Sequence, residues 1–589
     1  MNIFKPIYTD KINCQDCYKC IRACPVKAII AQNNIATINP ETCVYCGECV
    51  RVCPSGAKKT RNDVEKAKLA IRKKKKTIVS LAPSYVAEFS ETERLNLVSA
   101  IKALGFFGVS ETAIGAQIVN YNLIEYLRNN NKKLIISTAC PSINELIRIY
   151  YPNLISNMAP YLSPALSHAK YLKKIYGDET SVIFIGPCPA KKLEAEDSDL
   201  IDAALTFDNF RDWLEQEGIN LNERIIGEPE DSFIPFESKE GKLYPYDGGM
   251  IKSLGYFFRQ NDIETLSFSG LAVVKKAFDN LNDLRINKTV FIEALACEGG
   301  CVNGSRMTSN YSTLAKKIDV ISNYENEIKY KSTTNFQTND FNSVILNLLN
   351  EIYIRTQYSP KLLQAREVSE EEIDKALISI GKFSEKDELN CGGCGYESCK
   401  DLAKAISLGY AEQRMCVSYN RQLAAKKANA LMKSLPAGAV IVDSELKIIE
   451  CNYNFASLMG EDVLSVYEAK PGLEGANLKK IFPEWKLFQC VLETGEDLIE
   501  KEIKIDDHFF LTTIFTIEKN SIVGAVIRDI TEPSTQKEQI VKKAKEVIKK
   551  NLSTVQKIAF LLGENAAETE VILNSIIESF SNSQNDRRF

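Results

Sequence analysis

The sequence predicts a multidomain protein of mixed α/β and α+β class, and three observations carry the prediction. The chain has 589 residues, enough for several domains that each bury a core of their own. Between residues 77 and 365, apolar strand-like runs such as Thr77-Ile-Val-Ser-Leu81 alternate with helical stretches such as residues 91–104, the pattern of parallel strands joined by helices. The 18 cysteines fall into sets: eight within residues 14–53, four in three short segments from Cys140 to Cys301, and four within 391–416, with Cys451 and Cys490 left over.

Sixteen cysteines in sets of four is the arithmetic of four cubane clusters. Cysteine used this way argues for metal rather than disulfides. With only two histidines, His168 and His508, histidine chemistry cannot carry the function. A net charge of −4 with 25% charged residues leaves no nucleic-acid footprint, and the run Arg72-Lys-Lys-Lys-Lys76 reads as the solvated end of a helix. The opening residues have no apolar leader, and no apolar stretch approaches the ~20 residues that span a bilayer. The expectation is a cytoplasmic protein with neither membrane nor nucleic acid as partner. Cys451 and Cys490 read as small core residues.

Residues 1–62 form the first expected domain. Cys14-x2-Cys17-x2-Cys20-x3-Cys24-Pro25 is followed by Cys43-x2-Cys46-x2-Cys49-x3-Cys53-Pro54. This duplicated run is the bacterial two-cluster ferredoxin pattern, in which the fourth cysteine of each run ligates the other cluster. One 4Fe–4S cluster would use Cys14, Cys17, Cys20 and Cys53, the other Cys43, Cys46, Cys49 and Cys24. A zinc module is the alternative.

A charged helix over residues 63–76 leads into the second domain, 63–370. Three of its segments carry chemistry: Ser137-Thr-Ala-Cys140-Pro-Ser, Gly186-Pro-Cys188-Pro-Ala-Lys191-Lys, and Glu293-Ala-Leu-Ala-Cys297-Glu-Gly-Gly-Cys301-Val-Asn-Gly304. Each follows a strand-like run, and the Gly-Gly pair suits a turn where a cluster approaches the backbone. Together they resemble the signature segments of FeFe-hydrogenases, which interconvert dihydrogen with protons and electrons. The resemblance implies an α/β H-cluster domain. Cys140, Cys188, Cys297 and Cys301 would hold a cubane, and Cys301 would bridge to a diiron subcluster bearing carbonyl, cyanide and a bridging dithiolate. Lys191 matches the family lysine that donates to a cyanide, a ligand that needs a charged donor when buried.

The chain also departs from that family. Ala139 stands where active members carry a proton-relaying cysteine, and a methyl group has no exchangeable proton. Gly186 and Leu295 replace methionines; Ser142 and Ile143 replace Gly-Trp. Such changes tune potential and proton access rather than abolish metal binding. Glu298 is a candidate substitute proton acceptor, and Ser163 a remnant of the old path.

Helix-rich residues 338–380 come next, then a small helical domain, 371–425. It carries Cys391-x2-Cys394-x4-Cys399-x16-Cys416, which looks like a 4Fe–4S module of redox and sensory proteins, with zinc again the alternative. A charged helix over 415–435 connects onward and is a candidate for pairing with a second copy. Residues 426–533 resemble a PAS domain. Leu435-Pro-Ala-Gly-Ala-Val-Ile-Val-Asp443 and the run to Cys451 give two alternating strands, Asn452 opens a helix, and strands over 498–505, 508–518 and 521–529 close the fold. A helical tail, 534–589, has an apolar stretch at 555–562 suited to a partner helix.

The chain lacks G-x-G-x-x-G and G-x4-G-K-[ST] motifs, so any signal must pass through a partner. The resemblances imply a slow FeFe-hydrogenase that senses dihydrogen or redox state. It would pass the signal through its clusters and the PAS domain to a kinase or phosphatase, with a homodimer formed through PAS and helical segments. One alternative is a catalytic hydrogenase exchanging electrons with ferredoxin. The other is a hydrogenase-like iron–sulfur assembly protein without the diiron unit.

Overall fold

The computed structural model describes residues 5–73, 76–223, 232–281, 287–333, 352–363, 366–505, 508–531, 546–551 and 575. Two units are distinguished, Met1–Met415 and Cys416–Phe589. The expected tail segment at 555–562 lies outside the described residues.

The first unit begins with a twofold-repeated element. Strand β1 (Ile7–Thr9) pairs antiparallel with β4 (Lys58–Thr60), and β2 (Ile29–Gln32) with β3 (Ile35–Ile38). Helices Lys19–Ala23 and Glu48–Val52 carry the third cysteine of each run, Cys20 and Cys49. Each helix is entered through a left-handed residue, Tyr18 at φ 55° and Gly47 at φ 83°. That reversal lets each loop of cysteines curl back on its helix.

Beyond helix Val64–Lys73 lie two all-parallel sheets. One has the order β6-β5-β8-β9, formed by Gly108–Glu111, Thr77–Leu81, Ser181–Gly186 and Ala203–Thr206. The other has the order β10-β11-β7, formed by Glu264–Ser269, Val290–Leu295 and Leu134–Ile136. Parallel strands need helical crossovers, and those cover both faces. Hence β5, β8 and β11 are buried at every position and read as nearly continuous apolar runs. His168 is fully buried, its ring nitrogens bonded to Ser80 Oγ at 2.8 Å and Ser110 Oγ at 2.9 Å.

The helical expectation over 338–380 is corrected for its described part. Helix Glu370–Ser379 is present, but residues 352–363 run extended along the Pro160–Leu162 strip, with Leu162 N donating to Ile354 O and Thr356 N to Pro160 O at 3.0 Å. Backbone pairing with a neighbouring segment, and Pro360, outweigh local helical preference there.

The second unit opens with helix Val417–Ser434 and contains a five-stranded antiparallel sheet in the order β13-β12-β16-β15-β14. Its strands are Gly438–Asp443 (β12), Ile448–Cys451 (β13), Leu498–Ile505 (β14), His508–Glu518 (β15) and Ile522–Asp529 (β16). Helices Tyr453–Leu458, Glu461–Ala469 and Lys486–Thr494 accompany the sheet, and Phe455, Phe482 and Phe488 anchor its core. Cys451 is buried in that core. Cys490 is exposed, which corrects its expected core position: Phe488 and Val491 occupy the inward face of its helix.

Candidate metal centre

The three signature segments leave their strands at the carboxyl ends, where open parallel sheets gather ligands. Cys140 follows β7, Cys188 follows β8 and Cys297 follows β11. All three, with Cys301, line one cavity, together with Ala139, Phe184, Pro187, Lys191 and Leu295. Proline follows Cys140 and opens helix Pro141–Tyr150, so that thiol sits at a fixed chain reversal. Gly299 and Gly300 take φ 78° and 96°, and a Cβ on Gly300 would lie 2.6 Å from Pro245 O. Only glycine closes this turn.

Shielding from water raises the Cys140, Cys297 and Cys301 thiols and pushes Cys188 up to about 12. After burial, the next effects are repulsion of Cys297 by Cys301, Cys188 and Cys140, and of Cys301 by Cys140 and Cys188. Four thiols packed this way stay protonated unless a cation sits among them. Among the described residues, no three His, Cys, Asp or Glu side chains converge on a point that one metal ion could occupy.

Lys191 is buried at the cavity wall, its Nζ donating to Ser163 Oγ at 3.0 Å and pairing with Glu194. Ser163 Oγ in turn donates to Glu194 Oε2 at 3.0 Å. The next residue, Lys192, points away and donates to Ala204 O at 2.7 Å and Asn209 Oδ1 at 3.1 Å. Two lysines in sequence thus take different tasks, one facing the cavity and one bracing the sheet.

Sequence reasoning missed two groups. Ser84 lines the cavity with its Oγ buried and unbonded within the protein, the mark of a hydroxyl waiting for a ligand acceptor. The only signal for it was its place after Ala82-Pro83 at the end of a strand. Glu293, also on the wall, is pushed up to about 7 by burial, although the N–H groups of Ile251 and Met250 donate to it. Glu298, the expected proton acceptor, is exposed and is not among the side chains lining the cavity.

In the ferredoxin-like element, Cys20 is raised by burial and then feels Cys17, Cys14 and Cys53, while Cys49 feels Cys46, Cys43 and Cys24. The structure thus brings the fourth cysteine of each run to the other run's set. Cys46 also lines the central cavity. In the third set, Cys399 starts helix Cys399–Ser407, whose Ser398–Asp401 capping box fixes its first turn, and Asn390 Oδ1 accepts from Cys399 N at 2.8 Å.

Comparison with known proteins follows the same division. Residues 75–305 match the family described as iron-only hydrogenase large subunit, C-terminal domain; residues 10–57 match a 4Fe-4S dicluster domain; residues 387–418 match an Fe-S cluster family. Iron hydrogenase 1 of Clostridium pasteurianum is 24% identical over 386 residues, 54% of this chain and 67% of that protein. A variant of the FeFe-hydrogenase HydA1 from Chlamydomonas reinhardtii is 17% identical, with 51% of this chain and 100% of that chain covered and a TM-score of 0.36. The PAS domain of an HTR-like protein from Haloarcula marismortui is 18% identical, with 19% of this chain and 97% of that chain covered and a TM-score of 0.14. The chain carries an FeFe-hydrogenase-like H-cluster domain and a 4Fe–4S ferredoxin domain; it is a hydrogenase-like iron–sulfur protein related to FeFe-hydrogenases. The matched families favour iron–sulfur clusters over zinc in both small modules. No helix among the described residues is long and apolar enough to cross a membrane.

Proposed function

We propose that the chain is a sensory FeFe-hydrogenase, reacting reversibly with dihydrogen at low turnover and reporting its redox state to a signalling partner such as a kinase or phosphatase. One observation carries the reading. The cavity that gathers four thiols, Lys191 and the unbonded Ser84 hydroxyl presents only a methyl group, Ala139, at the position of the family's proton relay.

The donor set fits the group. Cys140, Cys188, Cys297 and Cys301 would hold the cubane, with Cys301 bridging to the diiron unit, and Lys191 Nζ and Ser84 Oγ would donate to its cyanides. When bound, that unit supplies the metal chemistry that interconverts dihydrogen with protons and electrons. Phe184, Pro187 and Leu295 keep water from the cavity, which strengthens every charge interaction inside it. With no thiol at Ala139, the groups placed to carry protons are Glu293 on the cavity wall and Ser163 Oγ with Glu194 Oε2 beside Lys191. A poor proton route gives slow turnover, a property suited to detection.

We keep the domains expected from the sequence as part of the proposal: ferredoxin domain 1–62, H-cluster domain 63–370, 4Fe–4S domain 371–425, PAS domain 426–533 and helical segment 534–589. The antiparallel order β13-β12-β16-β15-β14 and the Asn452 helix start support a PAS-type receiver. Chain matured with the diiron unit tests the proposal by infrared spectroscopy and hydrogen uptake. Carbonyl and cyanide bands with slow uptake are expected. Absence of the bands overturns any hydrogenase reading, and fast uptake replaces the sensor with a ferredoxin-coupled catalyst.

A further inference from the structure

Residues 137–140, which include Ala139 and Cys140, lie between strand β7 and helix Pro141–Tyr150 and belong to neither. Bonds from side chains therefore hold much of this backbone. Thr138 is central to them. Its Oγ1 lies within donating reach of Ala159 O at 3.1 Å and Tyr161 O at 3.0 Å, and its carbonyl accepts from Asn144 Nδ2 at 2.9 Å. The position of Cys140 thus depends on where the strip at residues 159–161 sits.

That strip is held from its far side. Ala159 N donates to Ile136 O on β7 at 2.8 Å, and the strap at residues 352–363 lies along the strip's other edge, with Leu162 N donating to Ile354 O at 2.9 Å. Ile352 and Ile354 turn into the core while Tyr353 stays exposed. Tyr358 closes the arrangement. Its hydroxyl, protonated at neutral pH, donates to Tyr161 O at 2.7 Å, the same oxygen that Thr138 reaches. Just beyond, the strap grips helix Pro141–Tyr150, which starts at Cys140. Arg148 Nε donates to Ser359 O at 2.9 Å, Lys361 N donates to Arg148 O at 2.9 Å, and the Lys361 ammonium pairs with Glu145. The side-chain partners stand 197 to 216 positions apart in the chain, so local preference does not account for them.

We propose that the 352–363 strap is a clamp on the Cys140 ligand, with Tyr358 and Lys361 as its positioning residues. Neither lines the cavity. Tyr358 acts through the Tyr161 carbonyl on Thr138, and Lys361 acts through Glu145 on the helix that starts at Cys140. The clamp gives a segment outside the cavity a hold on the geometry of the metal site. It rests on the reading of Cys140 as a ligand of the central cubane, and not on dihydrogen chemistry.

The test uses full-length chain, first without iron and then reconstituted with iron and sulfide but without the diiron unit. In iron-free chain, hydrogen exchange across residues 137–144 is expected to be about 2- to 10-fold faster in Tyr358→Phe than in wild type, the effect of one lost hydrogen bond, with β8 unchanged. In reconstituted chain, the central cubane is the paramagnetic signal that Cys297→Ala removes together with about four irons. Its midpoint potential is expected to shift in Tyr358→Phe, while the other clusters keep theirs. Tyr353→Phe, on the exposed side of the same strap, is expected to match wild type in both measurements. An unmoved potential, unmoved exchange, or an equal effect of Tyr353→Phe overturns the proposal. Should Tyr358→Phe lose the central irons, Lys361→Met is judged by the same two readouts. If Cys297→Ala removes neither signal nor iron, the ligand reading itself falls and takes the proposal with it, an outcome distinct from a cubane that is present and indifferent to the strap.

Discussion

Gly47 abuts Ser305 so closely that a Cβ on the glycine would lie 2.0 Å from the serine hydroxyl oxygen and 2.9 Å from Pro189. The loop bearing Cys46 is thereby wedged between two of the three signature segments. Gly47→Ala must strain a backbone at φ 83° and push Ser305 aside. The expected cost is about 1–3 kcal/mol, read as a lower denaturant midpoint, together with slower electron delivery between the ferredoxin clusters and the central site.

Ala139→Cys restores an exchangeable proton at the cavity wall. In fully matured protein, hydrogen turnover is expected to rise by on the order of 10²-fold, the low end of general acid–base contributions. Unchanged turnover would mean that the missing thiol is not what limits the rate.

Ser84→Ala separates a ligand-facing hydroxyl from a structural one. Its Oγ is buried without a partner in the protein, so its removal strands no other group and the unloaded variant should be no less stable than wild type. Matured protein should show a shifted cyanide stretching band, and an unshifted band would remove Ser84 from the site.

The division between what could and could not be read in advance follows from how information is stored in a chain. Cysteine spacing is local and rigidly constrained, so Cys14 to Cys53 and the segments at Cys140, Cys188 and Cys297 announce themselves. Strands such as β5 and β8 are equally plain, because full burial leaves an unbroken apolar run. Other features depend on contacts between distant segments. Glu298 and Cys490 are both exposed, which composition does not record. Residues 352–363 are extended because a neighbouring strip offers hydrogen bonds. The bond from Tyr358 to Tyr161 and the orphaned hydroxyl of Ser84 have no periodicity at all.

His168 makes core stability depend on pH. Burial lowers its pKa from 6.5 to about 3, so the unfolded chain binds the extra proton throughout that window. Its contribution is fully present above pH 6.5 and is lost as pH falls towards about 3. Urea midpoints should fall with acidification from pH 6.5 to about 5, and His168→Gln should flatten that slope. An equal slope in both proteins would assign the effect to carboxylates.

Asn452 ties the second unit together. Its Oδ1 accepts from Ala439 N at 2.8 Å and Phe455 N at 2.9 Å, while Nδ2 donates to Ala437 O at 2.7 Å and Met432 O at 3.0 Å. Asn452→Ala leaves several buried backbone groups without partners, an expected loss of about 2–3 kcal/mol. Thermal unfolding of the second unit checks this, and Asn452→Asp should recover part of the loss.

The four central cysteines come from the ends of three strands far apart along the chain, and the last of them, Cys301, follows the middle strand of its sheet. A nascent polypeptide exposes Cys140 and Cys188 well before β11 can be inserted between β10 and β7. No early fragment therefore carries all four thiols, and the site is complete only once β11 has joined β10 and β7.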